Sequence, residues 1–188
     1  AIPRMNAVSG RTGGATLGAS QSYYVKMLVY ALIFLLLAVV VFFLDKRQKI
    51  HIPSGSEGII IFTLLMVGLL LRVWAASLMN GHNDITLFRN WATAAASNFG
   101  QVYQNAGKID YPPLYIYILY LIGKLASLPG GSPYFILLLK LPSILADIAT
   151  SLVIYRLARK KLSSCASLWL SAFYIFNPAV LINSTFWG

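Results

Sequence analysis

The chain has 188 residues, 58% of them hydrophobic and only 11% charged, and a mean hydropathy of +0.71. A soluble domain cannot hide that much apolar surface, so lipid must be the solvent for most of it. Lys and Arg outnumber Asp and Glu by fifteen to five, but they fall in short bursts at the ends of apolar runs. That pattern speaks for membrane topology and anionic headgroups and against a nucleic-acid face.

The first 22 residues are rich in Gly, Ser, Thr and Ala and read as a flexible polar tail. Residues 23–49 then form an anchor: an apolar run over 24–44, followed by the basic flank DKRQK at 45–49. The run is long and lies behind a polar tail without a clear small-residue cleavage site, so it reads as a retained span and not a signal peptide. A span needs roughly 20 mostly apolar residues. Residues 58–79 qualify, broken only by Arg72, and so do residues 134–157, which carry Lys140 and Asp147. The run 164–182 is interrupted at Asn177-Pro178, a kink signal, and its single Cys165 reads as a small packing residue. Residues 111–128 are apolar and aromatic but short. They suit a span, a re-entrant piece or a helix lying in the interface. The predicted fold is all-α and polytopic, with an external loop over 80–113 that carries interfacial helices.

Charge bias orients these segments. DKRQK and RLARKK (156–161) both belong on the cytoplasmic side. The first span then runs inward, the second outward, and the loop lies outside. RLARKK stays inside only if 111–128 makes no net crossing, which is the favoured reading. The chain stops directly after an apolar run, which suggests the front part of a larger protein.

The loop concentrates ionisable groups in a chain with five acidic residues. Asp84 follows the second span, and after it Ile85, Phe88, Trp91, Ala92 and Ala95 recur at helical spacing. Asn83 or Asp84 would cap such a helix; alternatively Asp84 is a carboxylate at the membrane edge, able to take a proton from an acceptor hydroxyl. His82 could assist it or bind metal, but one histidine beside one aspartate is a sparse metal signal, and no ligand set is assigned. Asp110-Tyr111-Pro112-Pro113 is a rigid turn or a helix start with proline in its first turn. The tyrosines at 111, 115, 117 and 120 suit an interfacial belt or a wall that stacks on sugar rings. Arg72 and Lys140 fall near the outer side of their spans, where they either snorkel to headgroups or meet a lipid-linked phosphate. Asp147 lies deeper and calls for a cationic or polar partner such as Arg72 or Lys140. Asn183-Ser184-Thr185 matches a glycosylation acceptor but hugs the membrane.

The ordered set GHNDITLFRNWA, DYPPLYIY, KLPSILADIATSLVIYRLARKK and FNPAVLINSTFWG resembles the GT-C superfamily of membrane glycosyltransferases. The likeness covers residues 58–188, and residues 50–188 would form the amino-terminal part of such a module. DYPPL is similar to an element of the dolichyl-phosphate-glucose-dependent glucosyltransferases, and bacterial and archaeal membrane mannosyltransferases show related patterns. The resemblance implies a polyprenyl-phosphate sugar donor, a lipid, glycan or protein acceptor, an external or lumenal site and inversion at the anomeric carbon. It implies Asp84 as the general base, with Arg72, His82, Arg89, Asp110, Tyr111 and Lys140 as candidate substrate contacts. It leaves a divalent metal open, and it places the chain in a prokaryotic cell membrane or the endoplasmic reticulum. Two rival readings are a non-catalytic membrane subunit and a lipid flippase or transporter lined by Arg72, Lys140 and Asp147.

Overall fold

The computed structural model describes residues 13–47, 52–53, 55–78, 83–105, 107 and 109–187. Among them the fold is all-α, with eight helices. Helix α1 (Gly13–Lys46) begins inside the segment that reads as a tail; its apolar part is Val25–Leu44. A helix nucleated by an apolar run can propagate backward through a stretch without proline. Then come α2 (Glu57–Leu78), α3 (Asn83–Ser97), a 3-10 turn leading into the short α4 (Val102–Asn105), and α5 (Pro113–Ala126). Helix α6 (Phe135–Ala158) is followed by α7 (Ser164–Ile175) and α8 (Pro178–Ile182). Three described segments are long and apolar enough to span a bilayer, Val25–Leu44, Glu57–Leu78 and Ser132–Ala158. The bent pair Ser164–Ile175 and Pro178–Phe186 makes a fourth when taken as one span. The protein is a multi-pass, all-helical integral membrane protein.

The contacts fix how these helices run. On α2 and α6, Glu57 meets Arg159, Arg72 meets Asp147 and Ala76 meets Lys140. Numbers rise on one helix as they fall on the other, so the pair is antiparallel. Helix α7 runs parallel to α2, since Glu57 meets Ser164 and Gly68 lies beside Ile175. Helix α1 opposes α7, with the Tyr30 hydroxyl donating to the Phe176 carbonyl (2.7 Å) and Phe34 against Phe173. The carboxyl ends of α1 and α6 therefore share one edge, which brings Arg47 to the same side as Arg156 to Lys161. At that edge Glu57 accepts from Arg159 Nε (3.0 Å), the Tyr155 hydroxyl (3.2 Å) and the Ser164 hydroxyl.

The segment between α2 and α6 leaves from and returns to the opposite edge, as the charge bias requires. Helix α5 is about 21 Å long at 1.5 Å per residue, short of the roughly 30 Å hydrocarbon core. It packs on α3, and the two form a cap around the start of α6. Ile85, Phe88, Trp91, Ala92 and Ala95, the stripe read from periodicity, are all buried there with Ile116, Leu119, Phe135 and Leu139. Lipid does not cover the apolar face of α3; α5 does.

Small residues permit this approach. A Cβ on Gly123 would fall onto the Ala92 carbonyl oxygen and close to the Ala96 methyl. Overpacking of that kind costs about 1–3 kcal/mol. Gly123→Ala should lower the unfolding free energy in detergent by that amount, measured by denaturant titration, whereas the open Gly58→Ala should not.

Candidate functional site

Two groups of candidate residues emerge, one at the cap edge and one inside the bundle. At the cap, Asp84 stands in the first turn of α3 and is half-buried. Phe88 follows one turn later on the same stripe. Its ring packs edge-on against Tyr111 (5.4 Å between centroids), Tyr115 (5.5 Å) and Trp91 (5.5 Å). Tyr111 also lies against Tyr115 (5.0 Å) and Trp91 (5.7 Å), yet it keeps 44% of its surface exposed. Asp110, also exposed, immediately precedes it. The helix pair thus brings the turn of Asp84 and the turn of Asp110 and Tyr111 to one aromatic rim. Burial, with a smaller contribution from Tyr111, pushes the Tyr115 phenol up from its ordinary pKa, so it stays a neutral donor.

The other tyrosines serve a different face. Tyr117 and Tyr120 pack on Phe99 at 4.8 and 5.3 Å, so the four tyrosines form two clusters and not one continuous wall. Pro112 is the residue before α5 and Pro113 its first, so of the two readings of the double proline the helix start is the one found. Arg89 is exposed on α3, with its guanidinium carbon 5.3 Å from the centre of the Phe135 ring. That contact docks α3 on the first turn of α6. His82 lies outside the described residues.

Inside the bundle, Arg72 and Lys140 are both completely buried. Neither snorkels to the headgroups. Arg72 Nε donates to Asp147 Oδ2 (3.2 Å), and its Nη1 donates to the Gly68 carbonyl of its own helix (3.3 Å). Its Nη2 is buried without a hydrogen-bond partner. The Tyr174 hydroxyl donates to Asp147 Oδ1 (3.3 Å), so the carboxylate ties α2, α6 and α7 together. Lys140 Nζ donates to the Ala76 carbonyl (3.3 Å) across the α2–α6 contact. Of the cationic or polar partners that its depth called for, Asp147 finds Arg72 and the Tyr174 hydroxyl.

Sequence reasoning missed Tyr174 and Tyr30. Both look like ordinary span aromatics, and only the helix register shows that each hydroxyl faces a buried acceptor. The Asn177-Pro178 signal was informative. Asn177 Oδ1 accepts from the Ala179 amide (2.9 Å) as the N-cap of α8, and Pro178 takes its first position. The two pieces meet at 43°. Among the described residues no three His, Cys, Asp or Glu side chains gather as a metal site.

Removing one partner of a buried ion pair strands the other charge, at a cost of about 3–5 kcal/mol, while replacing both partners by apolar groups costs far less. Asp147→Leu should therefore destabilise the protein by about that amount in detergent unfolding, and the double variant Arg72→Met/Asp147→Leu should recover most of the loss.

The chain matches no protein-family model, no curated protein and no solved structure.

Proposed function

We propose that this protein belongs to a membrane glycosyltransferase of the GT-C kind, which moves a sugar from a polyprenyl-phosphate donor to a lipid-linked, glycan or protein acceptor. The carrying observation is the cap. Helices α3 and α5 make no net crossing and hold Asp84 half-exposed one turn before Phe88, whose ring packs on Tyr111, at the edge away from the basic helix ends. The order of motifs that resembles the superfamily supports the same reading. On the charge bias this edge is external or lumenal, in a cell membrane or the endoplasmic reticulum.

In the proposed reaction Asp84 accepts the proton of the acceptor hydroxyl as its oxygen attacks the anomeric carbon. The new glycosidic bond forms as the bond to the phosphate oxygen breaks, and the polyprenyl phosphate departs with the electron pair. Attack opposite the leaving group inverts the anomeric configuration. Phosphate leaves readily, so the protein mainly supplies a base, orientation and positive charge. Arg89, exposed on α3 just over one helix turn beyond Asp84, is a candidate for that charge. Arg72 and Lys140 are completely buried and hold the α2–α6 pair that supports the cap. The exposed face of Tyr111 suits stacking on a sugar ring.

The test is sugar transfer from a polyprenyl-phosphate hexose by the protein reconstituted in lipid, beside its Asp84→Asn variant. Transfer should fall by about a hundredfold or more with unfolding behaviour unchanged. Equal turnover by the two proteins removes Asp84 from the chemistry. No transfer from any hexose donor removes the enzyme reading.

A further inference from the structure

Far from the cap, an apolar cavity of about 660 Å³ lies between α1, α2 and α7. Phe34 and Phe42 of α1, Leu64 of α2, and Trp169 and Phe173 of α7 are among its walls. None of the apolar stretch Val25–Leu44 is buried, so α1 sits loosely on the bundle and the cavity opens sideways toward lipid as a groove.

Three observations indicate what fills it. The first is size. From Ala166 to Phe176 the wall on α7 runs about 15 Å at 1.5 Å per residue. A volume of 660 Å³ over that length leaves a mean cross-section of about 45 Å². A groove of that length and width accepts a hydrocarbon chain. The second is charge. Leu162 closes the groove at the basic edge, directly after the exposed Lys160 and Lys161, and Phe42 closes it on α1 shortly before the exposed Arg47. The third is an open donor: Trp169 Nε1 is buried in this apolar setting without a hydrogen-bond partner. Indole N–H is a donor only, and a buried donor calls for an oxygen. Trp169 lies about 8 Å along the axis of α7 from its first residue, Ser164. The headgroup layer of one leaflet is roughly 5–8 Å deep, so the indole sits just beneath it, at the level of acyl-ester oxygens.

We propose that this groove binds one anionic phospholipid of the leaflet at the basic edge. A tail occupies the groove, an ester oxygen accepts from Trp169 Nε1, and the phosphate rests against Lys160 and Lys161. The lipid fills the space between α1 and the rest of the bundle and thereby seats the anchor helix. The site is distinct from the cap and does not depend on any transfer reaction.

The experiment is native mass spectrometry of the whole chain released from nanodiscs of equal parts phosphatidylglycerol and phosphatidylcholine. One phosphatidylglycerol should remain per chain. Ala172→Trp, which fills the groove, should lower its occupancy at least tenfold. Trp169→Phe, which keeps the ring and removes the donor, should lower it severalfold. The surface double variant Lys160→Ala/Lys161→Ala cannot disturb the groove and should abolish the preference for phosphatidylglycerol. Equal retention of the two lipids by the unaltered protein overturns the proposal, and so does unchanged retention in the lysine double variant. A lipid-free chain or a dimer in place of the lipid adduct overturns it as well.

Discussion

The buried pairing of Arg72 with Asp147 is the constraint on which the rest of the bundle depends. A charge within a span is costly unless a partner meets it at the same depth, so the pair admits one register between α2 and α6. Once it is set, Glu57 reaches Arg159 at one edge and Lys140 reaches the Ala76 carbonyl toward the other. Tyr174 adds α7 to the same carboxylate. The antiparallel arrangement that follows places both basic helix ends on one side and forces the α3–α5 segment to fold back as a cap on the other.

Around this pair, the contacts are those available where lipid removes the hydrophobic drive between helices. Ser151 and Ser171 lie hydroxyl to hydroxyl at 2.7 Å, and each is also placed to donate to the other's carbonyl. Gly68 lets Ile175 approach the backbone of α2, and Gly123 lets α5 press onto α3. The break at Asn177-Pro178 follows the same economy. It frees the Phe176 carbonyl from the helix ladder, and the Tyr30 hydroxyl fills that vacancy from α1. An aromatic side chain in a lipid-facing anchor thus becomes the polar link between that anchor and the bundle.

The two edges of the molecule differ in kind. At the cap, the rings of Phe88, Trp91, Tyr111 and Tyr115 pack together between the turns that carry Asp84 and Asp110. At the basic edge, lysines and arginines border an apolar groove with an open indole donor, a place for a lipid. The interior separating them is spanned by the buried cations, which are fixed by carbonyls and a carboxylate and do not reach either surface.

The sequence alone determined the class and the outline. Apolar runs marked the spans to within a residue or two of Glu57–Leu78 and Phe135–Ala158, because the length a helix needs is set by the bilayer and not by its neighbours. Period and chemistry were likewise local for the α3 stripe, the proline start of α5 and the break at Asn177-Pro178. Charge bias foretold that 111–128 makes no net crossing, because clustered Lys and Arg resist translocation whatever the packing. What covers a face was not local. Periodicity showed that Phe88 and Trp91 share a stripe but not that α5, and not lipid, lies against it. A basic residue inside a span could snorkel or be buried, and only the depth of Asp147 on a helix 75 positions away sent Arg72 inward. The same holds for Tyr30, Tyr174 and the groove at Trp169: whether a polar atom finds a partner depends on the register of separate helices, which only the tertiary structure decides.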